Sequence, residues 1–484
     1  MTHGGEVTSV HLQIVKDPNR KKVFIEIPSP HSGQIIGKVE AASPEDIDLM
    51  FEKAAVAQKS WKLVPLNERV EKLLKVADFL EANKEVIAKT LMHEVGKPKK
   101  IADGEVTRTA DLVKFLCNQS LMLQNESFFS EQFPKTKPGK IAFTYREPLG
   151  VILAMPPFNY PVNLAATKII PALLMGNACV VKPPTQGSIS CAWLVKACYD
   201  AGVSPELLAY APGRGSDIGD YIVQHPGSQA VLFTGSAEIG KRIAKNAGMK
   251  QLVFELGGKD AAIVCEDADI QVAAQKVVNG AFSFSGQRCT AVKRVLVVES
   301  IADKFVEALL PLVKKLKVGS PHEDVDIGPV VDDRSADFIH GLLDDARKHG
   351  AKFVLGGERT ERLFQPTIID HVTKAMKLAW EEPFGPVLPI IRVKDIKEAI
   401  EIANHSEYGL QASVFTENID TAFMAAKQLE VGSVQINGEP ARGPDHFPFL
   451  GIKNSGLGPA QGARYSLESV SRIKSVVFNL KSKN

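Results

Sequence analysis

The sequence is poor in cysteine. Its 484 residues contain six, and none of them forms a C-x-x-C pair or accompanies a histidine-rich spacing. Disulfide frameworks and structural zinc sites need such patterns, so neither is expected and no metal is predicted. A reducing cytoplasm is the predicted compartment.

Charge of one sign and long apolar runs are also scarce. The formal net charge is +2, with 44% apolar and 24% charged residues, as in an ordinary globular protein. Such a balance gives no reason to expect nucleic acid as a partner. The first 13 residues lack the apolar core of a signal peptide, and no segment has the apolar length needed to span a bilayer. We therefore expect no membrane partner.

The chain is long enough for two or three domains, because single hydrophobic cores stop growing at smaller sizes. From residue 140 onward, apolar strand patterns alternate with helical patterns, and a second series begins after residues 257–258. This alternation predicts an α/β fold with parallel sheets covered on both faces. Ligands of such sheets bind at the carboxyl ends of the strands.

The ends of the chain follow other patterns. Residues 22–40 alternate like paired strands, and Ser43 and Pro44 followed by acids predict a helix to about Trp61. Two further helical patterns cover residues 63–95 and 101–123. Residues 124–140 are polar and aperiodic. An alternating C-terminal segment predicts an amphipathic strand whose open edge pairs with another subunit.

One cysteine has the surroundings of a nucleophile. Cys289 lies between a small-residue turn that includes Gly286 and an alternating β-type run, within residues 282–297. Arg288 places a positive charge beside the thiol, and a neighbouring cation lowers a cysteine pKa and raises the thiolate fraction. The alternative is a buried structural cysteine, because free cysteine is among the most buried residue types.

Two polar residues stand in apolar surroundings. Glu255 lies at a strand end, VFELGGK, where acids are seldom placed without a purpose. Burial is expected to raise its pKa, which suits a general base near neutral pH; the alternative is a hydrogen-bonded structural carboxylate. Asn159, in PPFNYPVN, either caps the following helix or donates its amide to an oxyanion.

Two strand ends have features of a cofactor site. Gly235 and Ser236 end a strand and open a helix, whose free backbone donors suit a pyrophosphate. The pattern is not a G-x-G-x-x-G fingerprint, and an ordinary strand-helix turn looks the same. Lys182 and Thr185, in KPPT, offer an ammonium and a hydroxyl to ribose hydroxyls or a 2′-phosphate. This motif has no carboxylate to favour the unphosphorylated ribose.

A thiol, an apolar carboxylate, an amide donor and a dinucleotide-like sheet together indicate oxidation of an aldehyde through a covalent thioester. In this hypothesis Cys289 attacks the carbonyl, and Asn159 with the backbone N–H of Cys289 holds the oxyanion. Hydride leaves to a nicotinamide, and Glu255 activates the water that releases the acid.

Seven motifs resemble the aldehyde dehydrogenase superfamily in order and spacing over nearly the whole chain: PPFNYPVN, KPPTQGS, FTGS, ELGGKD, SGQRCTA, EEPFGPV and PFLGIKNSGLG. The resemblance implies that Asn159 is the oxyanion donor, Glu255 the general base and Cys289 the nucleophile. It also implies that Glu382 holds the nicotinamide ribose with Phe384 packed nearby. Further cofactor positions are those of Lys182, Thr185 and Ser236.

The family fold implied by the resemblance has a Rossmann-type cofactor domain, an α/β catalytic domain and a small β oligomerisation arm, usually in a homotetramer. On this sequence the cofactor domain covers residues 1–135 and 151–256. The catalytic domain covers residues 257–440, and the arm covers residues 136–150 and 460–484.

Within the superfamily the sequence most resembles the branch of non-phosphorylating glyceraldehyde-3-phosphate dehydrogenases. The signs are TRTADLV around Arg108, FNYPVN with Tyr160, SGQRCTAVKRVLV with Arg288, and ARGPDHFPFLG with Arg442. These residues are implied to bind the substrate phosphate, for which guanidinium groups are suited. KPPT fits the branch's preference for NADP, with NAD possible at lower efficiency. Leu450 departs from the superfamily, where glycine is common.

The resemblance implies oxidation of D-glyceraldehyde 3-phosphate to 3-phosphoglycerate with reduction of NADP and without inorganic phosphate. The alternative is a dehydrogenase of another small aldehyde, such as succinate semialdehyde or lactaldehyde, because the same arginines serve a carboxylate almost as well. A CoA-acylating relative is disfavoured by Glu255, since thiolysis needs no water-activating base. A non-catalytic protein is disfavoured by the complete set of Cys289, Glu255 and Asn159.

Overall fold

The computed structural model of the chain describes residues 10–18 and 20–480. Residues 1–9, 19 and 481–484 lie outside this description. Parts of three predictions fall on them: the lack of a signal-peptide core in the first 13 residues, the start of the cofactor domain at residues 1–135, and the last four residues of the arm 460–484.

The helices of the described residues are α1 (Pro44–Trp61), α2 (Leu66–Ala82), α3 (Lys84–Val95), α4 (Lys99–Leu121), α5 (Asn163–Leu174), α6 (Ser188–Asp200), α7 (Gly215–Gln224), α8 (Ala237–Asn246), α9 (Ile270–Phe282), α10 (Glu299–Val313), α11 (Asp333–Lys348), α12 (Ile396–Asn404), α13 (Ile419–Gln428) and α14 (Arg464–Ser469). Short 3₁₀ turns lie at Ser130–Gln132 and Lys377–Ala379. None of the helices in the described part of the chain combines the length and the apolar character that crossing a bilayer requires.

The strands of the same residues are β1 (Phe24–Pro28), β2 (Ile35–Glu40), β3 (Ser127–Phe129), β4 (Lys140–Pro148), β5 (Val151–Met155), β6 (Ala178–Val181), β7 (Leu208–Tyr210), β8 (Ala230–Thr234), β9 (Gln251–Glu255), β10 (Ala261–Val264), β11 (Arg294–Val298), β12 (Lys352–Leu355), β13 (Arg359–Thr360), β14 (Leu363–Phe364), β15 (Thr367–Asp370), β16 (Val387–Val393), β17 (Tyr408–Gly409), β18 (Gln411–Phe415), β19 (Ser433–Ile436), β20 (Ile452–Lys453), β21 (Gly456–Leu457) and β22 (Ser471–Asn479).

The first large sheet has the order β21-β9-β8-β5-β6-β7, and the strands from β5 to β9 run parallel. β5, β6, β7 and β8 are buried along their whole length, as expected for a sheet covered on both faces. The pairing of Thr234 with Glu255 places the carboxyl ends of β8 and β9 side by side. This edge receives the loops after residues 155, 181, 234 and 255.

The second large sheet has the order β12-β15-β16-β11-β10-β18-β19 and is parallel except for β12. Its strands come from residues 261–436, a different part of the chain from the parallel strands of the first sheet. The buried apolar side chains likewise form two large clusters, one around each sheet. The loops that leave both sheets meet around Cys289.

A third sheet joins the middle of the chain to its end. β22 pairs with β4 in antiparallel register over nine positions, from Ser471 opposite Pro148 to Asn479 opposite Lys140. β3 completes the sheet on the other side of β4. For residues 124–140 the polar, aperiodic sequence predicts a connection or an edge arm, and they contain this short strand at the edge of the sheet. The domain division given by the resemblance stays a prediction.

Two helix predictions have different outcomes. α1 begins and ends as predicted: the Ser43 hydroxyl accepts from the Asp46 N–H (3.2 Å) and the Asp46 carboxylate accepts from the Ser43 N–H (2.9 Å), which is a capping box. The single pattern over residues 63–95 is two helices, so that prediction is wrong. The break lies at Asn83, whose backbone N–H (3.0 Å) and side-chain amide (2.8 Å) both donate to the carbonyl of Phe79 at the end of α2.

Candidate active site

The turn before Cys289 has an unusual backbone. Phe284, Ser285 and Gly286 all have positive φ, of 51°, 55° and 71°. Two consecutive non-glycine residues in this region are costly, on the order of 1–2 kcal/mol each, and persist only where the surroundings hold them. The Ser285 hydroxyl does so by donating to the carbonyl of Gly328 (2.8 Å).

Gly286 is required by a close approach of two loops. A Cβ at this position would lie 2.2 Å from the carbonyl oxygen of Gly385. The turn predicted at Gly286 is therefore present. It is fixed from both sides, by the segment at Gly328 and by the loop that contains Gly385.

Cys289 differs from the other cysteines in accessibility, because it is partly exposed whereas the other five are buried. Burial within the site nevertheless raises the pKa of its thiol to about 11, and the cation that opposes this shift is Lys293. The predicted lowering of the pKa by Arg288 is wrong. Arg288 donates to the carbonyl of Gly280 (2.7 Å) instead.

Asn159 is held close to the nucleophile. Its side-chain amide donates to the backbone carbonyl of Gln287 (2.9 Å), two residues before Cys289. The backbone carbonyl of Asn159 accepts from the ammonium of Lys97 (2.6 Å). Helix α5 is capped by another residue: Glu105 accepts from the first backbone N–H groups of that helix. The arrangement leaves the second N–H of the Asn159 amide for an oxyanion, because a primary amide carries two donors.

Glu255 lies at the carboxyl end of β9 and is buried, as its sequence context predicted. Burial would raise its pKa, but this is outweighed by the cations of Arg442 and Lys168 and by hydrogen bonds from Arg442 and Thr234, so that the pKa is lowered. The predicted rise is therefore wrong. The Arg442 guanidinium donates to Oε2 of Glu255 at 2.6 Å.

A buried polar chain continues from Glu255 into helix α5. The ammonium of Lys168 donates to the hydroxyl of Thr234 (2.6 Å), which donates to Oε2 of Glu255 (2.9 Å). The ammonium and carboxylate are 3.9 Å apart. Burial lowers the pKa of Lys168 to about 8, although Glu255 opposes the shift. Lys168 can therefore exchange a proton near neutral pH.

The structure brings two of the predicted phosphate ligands together. Arg108, on α4, makes a two-point ion pair with Asp445 through Nε (2.7 Å) and Nη2 (2.6 Å). The same Nη2 donates to the backbone carbonyl of Arg442. Residues separated by more than 300 positions in the chain thus share one patch. Arg108 is half-buried and paired rather than on a solvated helix face.

Tyr160 and Arg288 lie next to this patch. Burial raises the pKa of Tyr160, and the charges of Arg288 and Arg108 oppose the rise, so both guanidinium groups act on the phenol. The ammonium of Lys97 lies 3.9 Å from the centre of the Tyr160 ring and 4.4 Å from that of Phe284. Three cations, Lys97, Arg108 and Arg288, therefore lie around Tyr160.

The predicted cofactor residues line the carboxyl edge of the first sheet. Lys182 follows β6, and its buried ammonium donates to the carbonyl of Pro183 (3.1 Å) rather than to a carboxylate. Burial lowers the pKa of Lys182 to about 8, with Asp217 opposing. Thr185 is half-buried three residues on. Gly235 follows β8, and Ser236 caps α8, its hydroxyl accepting from the N–H of Ile239.

Glu382 and Phe384 reach the site from the second sheet. Glu382 forms an ion pair with Lys293 (3.0 Å) and accepts from the N–H of Gly258 (3.2 Å). Phe384 has φ of 49° and packs edge-on against Phe158, 5.8 Å between ring centres. The ammonium of Lys293 also donates to the carbonyl of Cys289. A cofactor-side carboxylate and the nucleophile therefore share one cation.

The family model that matches this sequence is the aldehyde dehydrogenase family, over residues 16–476. The chain belongs to the aldehyde dehydrogenase family. Among curated relatives of this aldehyde dehydrogenase, the NADP-dependent glyceraldehyde-3-phosphate dehydrogenase of Streptococcus equinus is 49% identical over 459 residues, covering 95% of the chain and 96% of the relative. That of Nicotiana plumbaginifolia is 47% identical over 467 residues, covering 96% and 93%.

Solved structures agree with this placement of the aldehyde dehydrogenase. The NADP-dependent glyceraldehyde-3-phosphate dehydrogenase from Bacillus halodurans C-125, complexed with NADP, has a TM-score of 0.94 and 51% identity, covering 96% of this chain and 97% of that one. The predicted superfamily and the predicted α/β fold are thereby confirmed.

Six residues of the aldehyde dehydrogenase site were missed by the sequence analysis: Lys97, Glu105, Lys168, Thr234, Lys293 and Asp445. Some of them carried a signal. Lys168 is the charged residue in an otherwise apolar helix, and Lys97 lies between Gly96 and Pro98 at a helix end. Asp445 gave none, because its partner Arg108 is 337 residues away in the chain. Within the described residues, no group of three or more His, Cys, Asp or Glu side chains could hold a metal.

Proposed function

We propose that this aldehyde dehydrogenase oxidises D-glyceraldehyde 3-phosphate to 3-phosphoglycerate with NADP and without inorganic phosphate. The observation that carries the proposal is the joining of Arg108 to the backbone of Arg442, beside the Glu255 carboxylate and across Tyr160 from Arg288. A site for a dianion thus borders the nucleophile, and several guanidinium groups are what a phosphate requires.

The first chemical step belongs to Cys289. Its thiolate adds to the aldehyde carbon, forming the S–C bond of a thiohemiacetal while the carbonyl π electrons move to oxygen. The Asn159 amide donates to that oxygen, an interaction whose loss costs about 3–4 kcal/mol in comparable sites. The pKa of about 11 means that the thiol must lose its proton before attack.

The cofactor fits the residues at the carboxyl edge of the first sheet. Lys182 is a buried cation with no acid among its hydrogen-bond partners in residues 10–18 and 20–480, and α8 presents its N-terminus after Gly235. Lys182, Thr185, Gly235 and Ser236 would hold the nucleotide, and Glu382 and Phe384 its nicotinamide end. When bound, NADP⁺ supplies the acceptor for the hydride that leaves the substrate carbon.

Glu255 completes the reaction by hydrolysis of the thioester. It takes a proton from water as the water oxygen adds to the thioester carbon, and the S–C bond then breaks with its electrons returning to sulfur. Overall, the aldehyde, water and NADP⁺ give the carboxylate, NADPH and two protons. Lys168, joined to Glu255 through Thr234, holds the carboxylate in position for this step.

Steady-state kinetics with phosphate-free buffer test this proposal. NADPH formation from glyceraldehyde 3-phosphate is expected, with a higher kcat/KM for NADP than for NAD. Arg108→Ala is expected to raise KM for this aldehyde far more than for the neutral lactaldehyde. An unchanged kcat/KM for the phosphorylated aldehyde in that variant, or a preference of the unmodified enzyme for another aldehyde, would falsify the substrate assignment.

We further propose a homotetramer in the cytoplasm. Support for the oligomer comes from the third sheet, where Phe128, Phe143, Val477 and Phe478 expose large apolar surfaces. Support for the compartment comes from six free thiols. Light scattering is expected to give about 210 kDa, four times the 52.5 kDa of one chain. A mass of one chain would contradict the assembly.

A further inference from the structure

Arg442 is engaged with the general base rather than free for a substrate. Its guanidinium lies 2.6 Å from Oε2 of Glu255, and the side chains of the pair are 12% and 4% exposed. The planar group also lies 4.9 Å from the ring of Phe449. A close pair in such a dry environment interacts more strongly than a surface pair. Glu255 is therefore neutralised as long as Arg442 stays.

Within the described residues the other two arginines of the patch make no hydrogen bond to Glu255, although Arg108 also donates to the backbone carbonyl of Arg442. Arg108 pairs with Asp445, and Arg288 donates to the backbone carbonyl of Gly280. An anion that binds Arg108 or Arg288 leaves the ion pair between Glu255 and Arg442 intact. An anion that draws on Arg442 removes the strongest cation from the base.

A cavity beside Arg442 can receive its side chain when the guanidinium leaves Glu255. The cavity has a volume of about 240 Å³, and Gln411, Ser433 and Asp445 are among the lining residues. The side-chain oxygens of Gln411 and Ser433 are buried and accept no hydrogen bond from the described residues. Both can accept from the N–H groups of a guanidinium, and Asp445 carries the opposite charge. A guanidinium that moves into this cavity therefore finds hydrogen-bond acceptors there.

We propose that Arg442 serves two anions in turn: it neutralises Glu255 while no substrate is bound, and it moves to the anionic end of the substrate when that end enters the patch. The substrate thereby frees the base that will later hydrolyse its own thioester. This inference rests on the proposed function, since it needs an aldehyde with an anionic far end. Neutral aldehydes leave the Arg442–Glu255 pair intact, so the thioesters formed from them are hydrolysed slowly.

The groups that face Glu255 decide how much its base strength changes when Arg442 leaves. Without Arg442 they are Lys168, Thr234 and Cys289. Lys168 and Thr234 hold the carboxylate in place, so it keeps its position while it loses its nearest cation. A carboxylate freed from an ion pair has a higher pKa and is a stronger base. The rate of water activation rises with base strength.

The hydrolysis step can be observed without cofactor or aldehyde. 4-Nitrophenyl acetate acylates a thiolate: the S–C bond forms, 4-nitrophenolate leaves, and hydrolysis later returns acetate and the thiol. Cys289 is the accessible cysteine among the six, so the acetyl group is expected there. Intact-mass spectrometry of the full-length enzyme follows the loss of the acetyl group, with and without inorganic phosphite as the free anion, at ionic strength matched with chloride.

Phosphite is expected to accelerate loss of the acetyl group in the unmodified enzyme by about tenfold, a small part of the 10²- to 10⁴-fold that a positioned base contributes. Arg442→Ala is expected to lose the acetyl group faster than the unmodified enzyme without phosphite, and to show no response to it. Arg108→Ala is the matched control: its response to phosphite should persist, at higher phosphite concentration.

Two results overturn the proposal. One is a rate in Arg442→Ala at or below that of the unmodified enzyme, and the other is the absence of any phosphite response in the unmodified enzyme. The phosphite response is measured on the unmodified enzyme. The proposal can therefore be tested even if Arg442→Ala folds poorly. Oxidation of glyceraldehyde 3-phosphate by the same preparation separates the two failures. If that oxidation occurs without a phosphite response, only this inference fails; if it does not occur, the proposed function fails.

Discussion

The ammonium of Lys97 donates to the backbone carbonyl of Asn159 at 2.6 Å and also pairs with Glu105, and both charged side chains are fully buried. Glu105 in turn accepts from the N–H groups of Val162 and Asn163, at 2.9 and 3.0 Å. One buried ion pair therefore fixes both sides of the segment that carries the oxyanion donor.

Replacing Lys97 by methionine tests this arrangement. The substitution leaves the Glu105 charge buried without its cation, which is expected to lower the free energy of unfolding by about 3–5 kcal/mol. It should also lower kcat, because the Asn159 backbone loses its anchor. Urea denaturation and steady-state kinetics measure the two effects. Lys99→Met, at an exposed pair with Asp103 on the same helix, is the control and should change stability little.

The reactivity of Cys289 in the cofactor-free protein is expected to depend steeply on pH. The thiolate is the reactive form, and with a pKa of about 11 its fraction grows about tenfold per pH unit from neutral pH up to that value. Alkylation by iodoacetamide, followed by mass spectrometry, reports this fraction. Lys293→Met removes the cation that opposes the shift and should slow alkylation further. A rate already constant above pH 7 would show that the thiol is activated without cofactor.

Thr234→Val removes the hydroxyl between Lys168 and Glu255 and keeps the shape of the side chain. Glu255 then loses a donor that lowers its pKa, so its pKa rises. A base with a higher pKa is protonated at higher pH as the solution is acidified, so the acid limb of the kcat profile should move upward in pH. We also expect a loss of about 1–3 kcal/mol in stability. Thr167→Val, whose hydroxyl donates to a backbone carbonyl in the same region, should leave the pH profile in place.

Lys182→Met separates cofactor binding from stability. The ammonium is buried and has a pKa near 8, so the charge is costly to the free protein. Removing it should keep or raise the melting temperature of the cofactor-free enzyme while it weakens NADP binding by about tenfold or more, the worth of one charge-assisted hydrogen bond. Calorimetry measures the melting temperature, and fluorescence titration measures the affinity for NADP. Weaker binding together with a lower melting temperature would point to misfolding.

The sequence allowed the parts of the site to be named but not their electrostatics. Cys289, Glu255 and Asn159 follow strand or turn patterns that place them at one sheet edge, and local pattern suffices for that. The sign of the Cys289 pKa shift was wrong because the fold buries the thiol, and that of Glu255 was wrong because distant cations outweigh its burial. Arg442, which outweighs the burial of Glu255, is 187 residues away from it.

The break at Asn83 shows a different limit. The apolar spacing over residues 63–95 is continuous, and periodicity alone cannot distinguish one helix from two that share a face. The cofactor residues are a third case. Lys182 and Ser236 were placed at strand ends by pattern, whereas the absence of an acid hydrogen-bonded to Lys182 became visible only in three dimensions.

The left-handed turn at residues 284–286 depends on Gly328 and Gly385, which are added to the chain later than Cys289 during synthesis. A nascent chain that ends before residue 385 therefore carries Cys289 as an ordinary thiol, without the loop that gives it its position. Because Glu382 and Arg442 also arrive late, the base and the anion patch are assembled after the nucleophile. The catalytic site is thus complete only when the polypeptide is nearly finished.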